Sequence, residues 1–391
     1  LHRLQHADEY FHAARELLEE GIERGFTPTR SVLDGHGEMI DSYLVDDPTE
    51  SDLYEPFESI PGTIDPEERE RFREAATEAI VEDVFPALEA FKEFLLEEYI
   101  PECRESTDYA DLEGGEAYYE HLVWYYTTLD VTPEEVHQTG LEEVERIREE
   151  MLDTIDDAGF DGDFDEFVEF LRTDPQFYPD SAEELLKRAK SIAKTVDGRL
   201  PELFTLEGMP TRPYGVEPVP EDIAPSYTSG RYVSHGSDTD AGTFWINTYD
   251  LDSRPLYALP ALFLHEAVPG HHHQIAHAEE NDRVSEFRGE NLVNAYIEGW
   301  ALYAERLGTE IDAFETPYEQ FGRLSNEMWR ACRLVVDTGI HAKGWTPEEA
   351  RAFMAENTAL SMHNVRTEVD RYVAWPGQSL AYKMGEIEVR K

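Results

Sequence analysis

His265-Glu266-Ala267-Val268-Pro269-Gly270-His271-His272-His273-Gln274 decides how this chain is read. An apolar run, Leu256 to Leu264, leads into it, and Tyr296-Ile297-Glu298-Gly299-Trp300-Ala301-Leu302-Tyr303-Ala304-Glu305 follows downstream. A histidine followed at once by glutamate, with a second histidine four residues after the first, is a zinc-hydrolase helix. Two imidazoles share one face, and the glutamate is the general base. Here the fourth position is Pro269. On a straight helix, at about 100° and ~1.5 Å per residue, His271 would be rotated roughly 240° from His265 and raised ~9 Å. His272 would return to the face but lie ~10 Å along the axis. Neither meets His265 at one ion unless the helix is interrupted. Pro269 has no N–H for the His265 carbonyl and crowds it. Gly270 accepts the dihedrals of a bulge. A bulge absorbing two residues puts His271 where the second ligand belongs. The metal ligands expected are therefore His265, His271 and Glu298, with His272 the second choice after His271 and His273 the third. Zinc then keeps one position open for water, and Glu266 is the base. A histidine-rich helix end without metal is the competing reading, because cationic imidazoles suit a helix C-terminus. Four histidines within nine residues, with Glu266 beside the first, favour the metal.

These stretches, with Arg333-Leu-Val-Val-Asp337-Thr-Gly339-Ile-His341, Pro376-Gly377-Gln378-Ser-Leu-Ala-Tyr382-Lys383, Leu171-Arg-Thr-Asp174-Pro-Gln-Phe-Tyr178 and Gly242-Thr-Phe-Trp-Ile-Asn247, resemble a large microbial family known as domain of unknown function 885. The resemblance runs from about Gly21 to the end. Ser379 stands where the family usually has Ala, and the N-terminal portion that members usually carry is missing. Members look like distant relatives of helical zinc peptidases of the oligopeptidase and carboxypeptidase type. That likeness implies a mainly α fold with two helical lobes around a cleft, a small β element before the zinc helix, and peptide-bond hydrolysis. It also implies that His341, Tyr372 and Tyr382 stabilise the oxyanion beside the metal. Asp337 is expected to orient His341 or a ligand. Arg371 is the expected partner of a substrate carboxylate, since an arginine fork matches one. Asn247 and Gln378 complete the expected substrate-binding set.

Acidic residues number 85 against 33 basic, for a net charge of −52. They are spread among apolar positions and do not form a tail. With 40% hydrophobic residues the chain can bury a core and is not a disordered one. Such a surface suits very high salt, which screens its self-repulsion. A halophilic source is the expectation. The same charge excludes nucleic acid and anionic membranes as partners, which leaves a peptide or small-molecule substrate. Cys103 and Cys332 are too few for a disulfide framework, and no apolar run is long enough to span a membrane, so a cytoplasmic protein is expected.

Along the chain, apolar spacing predicts helices over 1–20, 31–43 and from Asp65-Pro66 to about Cys103, kinked at Pro86. Thr132-Pro133-Glu134-Glu135, Ser181 to Glu184 and Thr346-Pro347-Glu348-Glu349 are helix starts. The aromatic run after Gly115 reads as helix packing before substrate wall. Between Pro201 and Pro225 prolines cluster and the helical period is lost. Thr243-Phe-Trp-Ile-Asn247 reads as a strand, and as the sheet edge along which an extended peptide adds. The expected organisation is one domain: a helical lobe (1–199), a Pro-rich connection with a short strand (200–250) and a zinc-site lobe (251–391). The leading expectation is a zinc metallopeptidase for short peptides, carboxypeptidase-like in preference. A non-peptide amide or ester hydrolase and a metal-free peptide-binding relative are the alternatives.

Overall fold

The computed structural model describes residues 1–391 except 34, 222, 235–239, 282, 284, 286 and 289–292. The chain is mainly α with one small sheet. It forms two compact units, Leu1–Gly114 and Gly115–Lys391.

The first unit holds α1 (Ala7–Glu23), α2 (Pro66–Ala79) and α3 (Phe85–Phe94). Asp65 caps α2 by accepting from the Glu67 N–H, with Pro66 at the first helical position. A π turn, Ile80–Val84, joins α2 to α3 just ahead of Pro86, and a second, Leu95–Tyr99, precedes Pro101. The expected single long helix with a kink is thus one helical run whose irregular turns fall beside its prolines. Between 31 and 43 only His36–Asp41 is α-helical.

The second unit begins with α4 (Gly115–Thr127), α5 (Pro133–Asp157), α6 (Phe164–Thr173) and α7 (Ala182–Arg199). Capping boxes start α5 at Thr132 and α6 at Asp163. Next come β1 (Tyr214–Pro218), β2 (Gly230–Val233) and β3 (Gly242–Ile246), then α8 (Leu259–Glu266), α9 (His271–Glu279), α10 (Asn294–Leu307) and α11 (Pro317–Ala342). α12 (Pro347–Asn357), α13 (Met362–Ala374) and α14 (Ala381–Arg390) finish the chain. On α4, Tyr119 and Val123 are buried while Trp124 and Tyr125 are exposed, so the aromatic run packs along one face only.

The sheet order is β1-β3-β2. β1 runs parallel to β3, with Tyr214 opposite Gly242 and Pro218 opposite Ile246. β2 runs antiparallel to β3, with Gly230 opposite Ile246 and Val233 opposite Thr243. β3 is therefore the central strand, hydrogen-bonded on both sides. It offers no free edge to a substrate, contrary to the reading of 243–247 as an edge; the free edges belong to β1 and β2. Leu185, Ala189 and Val196 of α7, Val216, Phe244 and Ile246 of the sheet, and Leu259, Phe263 and Leu264 of α8 form one apolar core. The sheet and α7 thus clamp the helix that ends in His265-Glu266.

α11 is buried from Phe321 to His341 on most of its circumference and packs along α5. Charged side chains recur along it. Glu327 accepts from Lys383 Nζ at 2.8 Å and from Arg323 at 2.7 Å, and it also pairs with Arg146 of α5. α10 and α14 cross almost backbone to backbone. A Cβ at Gly299 would lie 2.4 Å from the Gly385 carbonyl carbon, and one at Gly385 would lie 2.0 Å from the Ala295 carbonyl oxygen. Only glycine at both positions permits that approach.

Candidate metal centre

α8 stops at Glu266, and α9 starts at His271. The four residues between them are not a bulge inside one helix, as expected, but a full break between two. Ala267 leaves the helical region (φ −102, ψ −103) and the Val268–Pro269 peptide is cis. Gly270 is required by space. A Cβ there would sit 1.9 Å from the His265 carbonyl oxygen and 2.4 Å from that of Leu264. The chain folds back onto the end of α8 so closely that His271, at the first position of α9, faces His265. Their rings are 4.9 Å apart and perpendicular. Trp300 of α10 donates its indole N–H to the Pro269 carbonyl at 2.8 Å and so fixes the break from the other side.

Both imidazoles converge on one carboxylate oxygen. His265 Nε2 lies 3.7 Å and His271 Nε2 3.6 Å from Glu298 Oε2. Tetrahedral ligands at ~2.0–2.1 Å from a zinc ion stand about 3.3 Å apart, so these spacings suit a shared cation. Glu266 offers an oxygen within 4.8 Å of a nitrogen on each imidazole, and it could also ligate. Its Oε2, however, accepts the Tyr232 backbone N–H of β2 at 2.8 Å. Glu298 is nearer both imidazoles. We therefore assign Glu298 as the third candidate ligand and Glu266 as the free carboxylate beside the centre.

On the far side of His265, Nδ1 meets Glu305 Oε1 at 2.8 Å, and Glu305 is buried. The carboxylate holds the ring by Nδ1 and turns Nε2 toward Glu298. Arg330 of α11 approaches the same Glu305 oxygen at 3.9 Å. Burial disfavours a charge on His265, but attraction to Glu298 and Glu305 outweighs it and lifts the imidazole to about 9. Burial would also raise the Glu298 carboxyl. Attraction to His265, then His271 and Arg333, instead holds it down at about 2. His271 is pushed below its ordinary value by burial and by repulsion from His265. A positive charge is thus favoured on His265 and disfavoured on His271 around one carboxylate, and a divalent cation held there would displace that proton. The buried Nδ1 of His271 has no partner among the described residues.

His272 and His273 point elsewhere. His272 is buried between the Tyr232 hydroxyl (3.1 Å) and the Arg212 carbonyl (3.1 Å), and His273 stacks near Phe204. Of the three histidines after Gly270, His271 is the one that faces His265. The oxyanion and substrate candidates fare differently. The Tyr372 hydroxyl donates to Glu368 at 2.7 Å and accepts from Arg333 Nε at 2.9 Å and from the Trp329 indole at 3.0 Å, all in the interior. His341 is buried, with Nε2 against the Tyr372 carbonyl at 2.9 Å. The Tyr382 ring lies 4.4 Å from the Arg333 guanidinium. Tyr372 and Tyr382 thus flank Arg333, whose charge reaches Glu298. Asp337 accepts from Tyr119, Gly377 and Ser379, so it braces the α11–α4–α14 junction and not a candidate ligand. Arg371 is committed to Glu368 and to the Gln378 side-chain oxygen. Asn247 is fully buried. Its amide donates to the Ala224, Tyr227 and Thr228 carbonyls, so it ties down the loop before β2.

Glu305 and Arg333 are the functional residues that sequence reasoning passed over. Glu305 stands seven residues after Glu298, two turns on along the same helix face, and that spacing was the available signal.

Fold and site together define a mainly α protein with a two-histidine, carboxylate-supported candidate metal centre at a helix break. The chain belongs to the family described as bacterial protein of unknown function (DUF885), whose model matches residues 1–391. Comparison with curated proteins found no match. Among solved structures, a proposed lipoprotein from Colwellia psychrerythraea is similar at 29% identity and a TM-score of 0.92. The match covers 99% of this chain and 68% of that one. A proposed lipoprotein of unknown function from Shewanella oneidensis shares the fold at 18% identity and a TM-score of 0.68, covering 99% of this chain and 70% of that one.

Proposed function

We propose that the chain is a zinc-dependent metallopeptidase acting on short peptides. The observation that carries this is the meeting of His265 Nε2 and His271 Nε2 at Glu298 Oε2, with Glu266 beside them and Glu305 behind. His265, His271 and Glu298 would hold the ion. When bound, zinc supplies a Lewis acid for the scissile carbonyl and lowers the pKa of water toward neutrality. Glu266 takes the proton of the attacking water and returns it to the leaving amine. The Tyr232 N–H keeps the Glu266 carboxylate turned toward the free edge of β2. That edge favours an extended peptide over a compact ester, because outward backbone groups of an edge strand pair with a peptide backbone. The oxyanion role expected of His341 and Tyr372 is not carried into this proposal, since His341 Nε2 and the Tyr372 hydroxyl are engaged elsewhere; Tyr382, half-buried beside Arg333, keeps it as a candidate.

Elemental analysis of protein purified in high salt, with a screen of blocked and unblocked peptides, tests the reading. About one zinc per chain, and hydrolysis that ends when the metal is chelated, are expected. Metal-free protein that binds peptides without cutting them would overturn it. A cytoplasmic location is likewise a proposal. The free, buried thiols of Cys103 and Cys332 support a reducing compartment. No helix among the described residues is long and apolar enough to cross a membrane.

A further inference from the structure

With Arg371 and Gln378 bound to each other, the candidate centre lacks the anion receptor expected of it. Arg231 fills that gap. It sits on β2 next to Tyr232, whose N–H holds Glu266, and opposite Trp245 of β3. Its side chain is exposed, while Gly230 and Tyr232 on either side are buried. The buried neighbours belong to the strand face that packs against the helices, and strand alternation turns Arg231 outward. Its side chain makes no ion pair or hydrogen bond with any described residue, in a chain where acidic side chains outnumber basic ones 85 to 33. The arginines around it behave otherwise. Arg212 meets Glu279, Arg330 approaches Glu305, and Arg333 holds Glu368. Its guanidinium is thus unpaired among the described residues, and its strand neighbour Tyr232 holds the Glu266 carboxylate. Arg231 is close enough to His271 for its charge to be felt there.

We infer that Arg231 is the site's receptor for a substrate carboxylate, placed so that a peptide lying along the β2 edge delivers that carboxylate to its guanidinium. This rests on the proposed peptidase reading and names its substrate class: short peptides bearing an anionic group close to the bond that is cut. The guanidinium offers a planar fork to a carboxylate, and no carboxylate of the described chain competes for it. The electrostatics are consistent. A surface of net charge −52 repels anions at long range, so an anionic substrate needs a local cation at the site. The carboxylate could be the free C-terminus or an acidic side chain, and the test separates the two.

The test uses the full zinc-loaded chain, in high salt, with three probes. These are Ala-Ala-Phe as the free acid, the same peptide as its C-terminal amide, and the amide with Asp in place of the central Ala. Binding is read by calorimetry in the Glu266→Gln background and turnover in the wild type. The free acid is expected to bind about tenfold or more tighter than the plain amide, the scale of one charge-assisted hydrogen-bonded contact. In Arg231→Gln the acid-to-amide ratio should fall to about one, and Arg231→Lys should restore part of it. Recovery of tight binding by the Asp-containing amide would identify a side-chain carboxylate as the group read. Failure to recover would identify the C-terminus. An acid-to-amide ratio that Arg231→Gln leaves unchanged, or absence of any preference in the wild type, overturns the inference. Arg231 is exposed, so these variants should fold. The two readings fail separately. Acid preference without hydrolysis sinks the peptidase and leaves the receptor standing. Equal hydrolysis of all three probes sinks the receptor and leaves the peptidase.

Discussion

The Glu305 carboxylate meets His265 Nδ1 at 2.8 Å from the side opposite Glu298. Two glutamates two turns apart on α10 therefore grip one imidazole from both ends, one behind it and one across the candidate ion position. Such a carboxylate behind a ligating histidine sets the tautomer and raises ligand basicity. Glu305→Gln should lower zinc affinity about 10- to 100-fold while the helix content stays intact. Competition with a colorimetric chelator reads the affinity directly, and an unchanged constant would remove Glu305 from the centre.

Glu266 separates chemistry from binding. Because Glu298 is the nearer oxygen to both imidazoles, Glu266→Gln should keep its metal and lose turnover by about a hundredfold or more, the scale of general-base catalysis. Zinc content by elemental analysis and peptide hydrolysis are measured on the same sample. Metal loss in this variant would mean that Glu266 is a ligand.

The return of the chain at Gly270 leaves no room for a methyl group. Gly270→Ala must push the His265 carbonyl away from a Cβ built 1.9 Å from it. A destabilisation of about 2–4 kcal/mol is expected, in the range of overpacking and backbone strain combined. Zinc content should fall with it, since the same turn presents His271. A thermal melt and a metal assay check both halves.

The cluster around Glu327 makes a pH prediction. Burial would raise this carboxyl, but Lys383, Arg323 and Arg146 hold it well below its ordinary value of 4.5. A folded-state pKa below the unfolded one gives stability that is present above about 4.5 and lost as pH falls through the lower folded value. Lys383 is displaced the other way, since Glu327, Glu386 and Glu143 outweigh the effect of burial. Its contribution is present below its ordinary 10.5 and is lost as pH rises through the higher folded value. Glu327→Gln should therefore cost about 3–5 kcal/mol at neutral pH, as for one partner removed from a buried pair. The gap from wild type should narrow in strong acid. Denaturant melts at several pH values show whether it does.

With a net charge of −52, the folded surface repels itself in dilute buffer. The melting temperature should rise steadily from low salt to molar potassium chloride as screening shortens from about 30 Å at 0.01 M to about 3 Å at 1 M. A melting temperature independent of salt would remove the halophilic reading.

Local signals carried far in this chain. Thr132, Ser181 and Thr346 open helices where their side chains accept a backbone N–H three residues on. The pairing of His265 with His271 also followed from Pro269 and Gly270 alone, although the turn is a break between helices and not a bulge. Strand order was not legible, because it depends on which segments meet β3 and the Pro-rich segments that supply β1 and β2 have little period. The fate of Asn247, Arg371 and Gln378 was hidden for the same reason. A polar side chain advertises hydrogen-bonding capacity in sequence, but whether the chain's own carbonyls or carboxylates use it up is a matter of tertiary contact. Arg333 was quoted inside a motif yet assigned nothing, since an arginine between apolar residues on a helix usually reaches water, and this one is buried against Tyr372 and Tyr382.

The glycine-to-glycine crossing of α10 and α14 gives the last helix an unexpected office. Gly299 follows Glu298 directly, so the height at which that carboxylate stands over the imidazoles is gauged by Gly385 pressing on the next residue. Engineering of α14 is thus engineering of the candidate centre. Removal of residues 381–391, or a bulky side chain at 385, should detune that centre from the far side of a helix, without altering any candidate ligand.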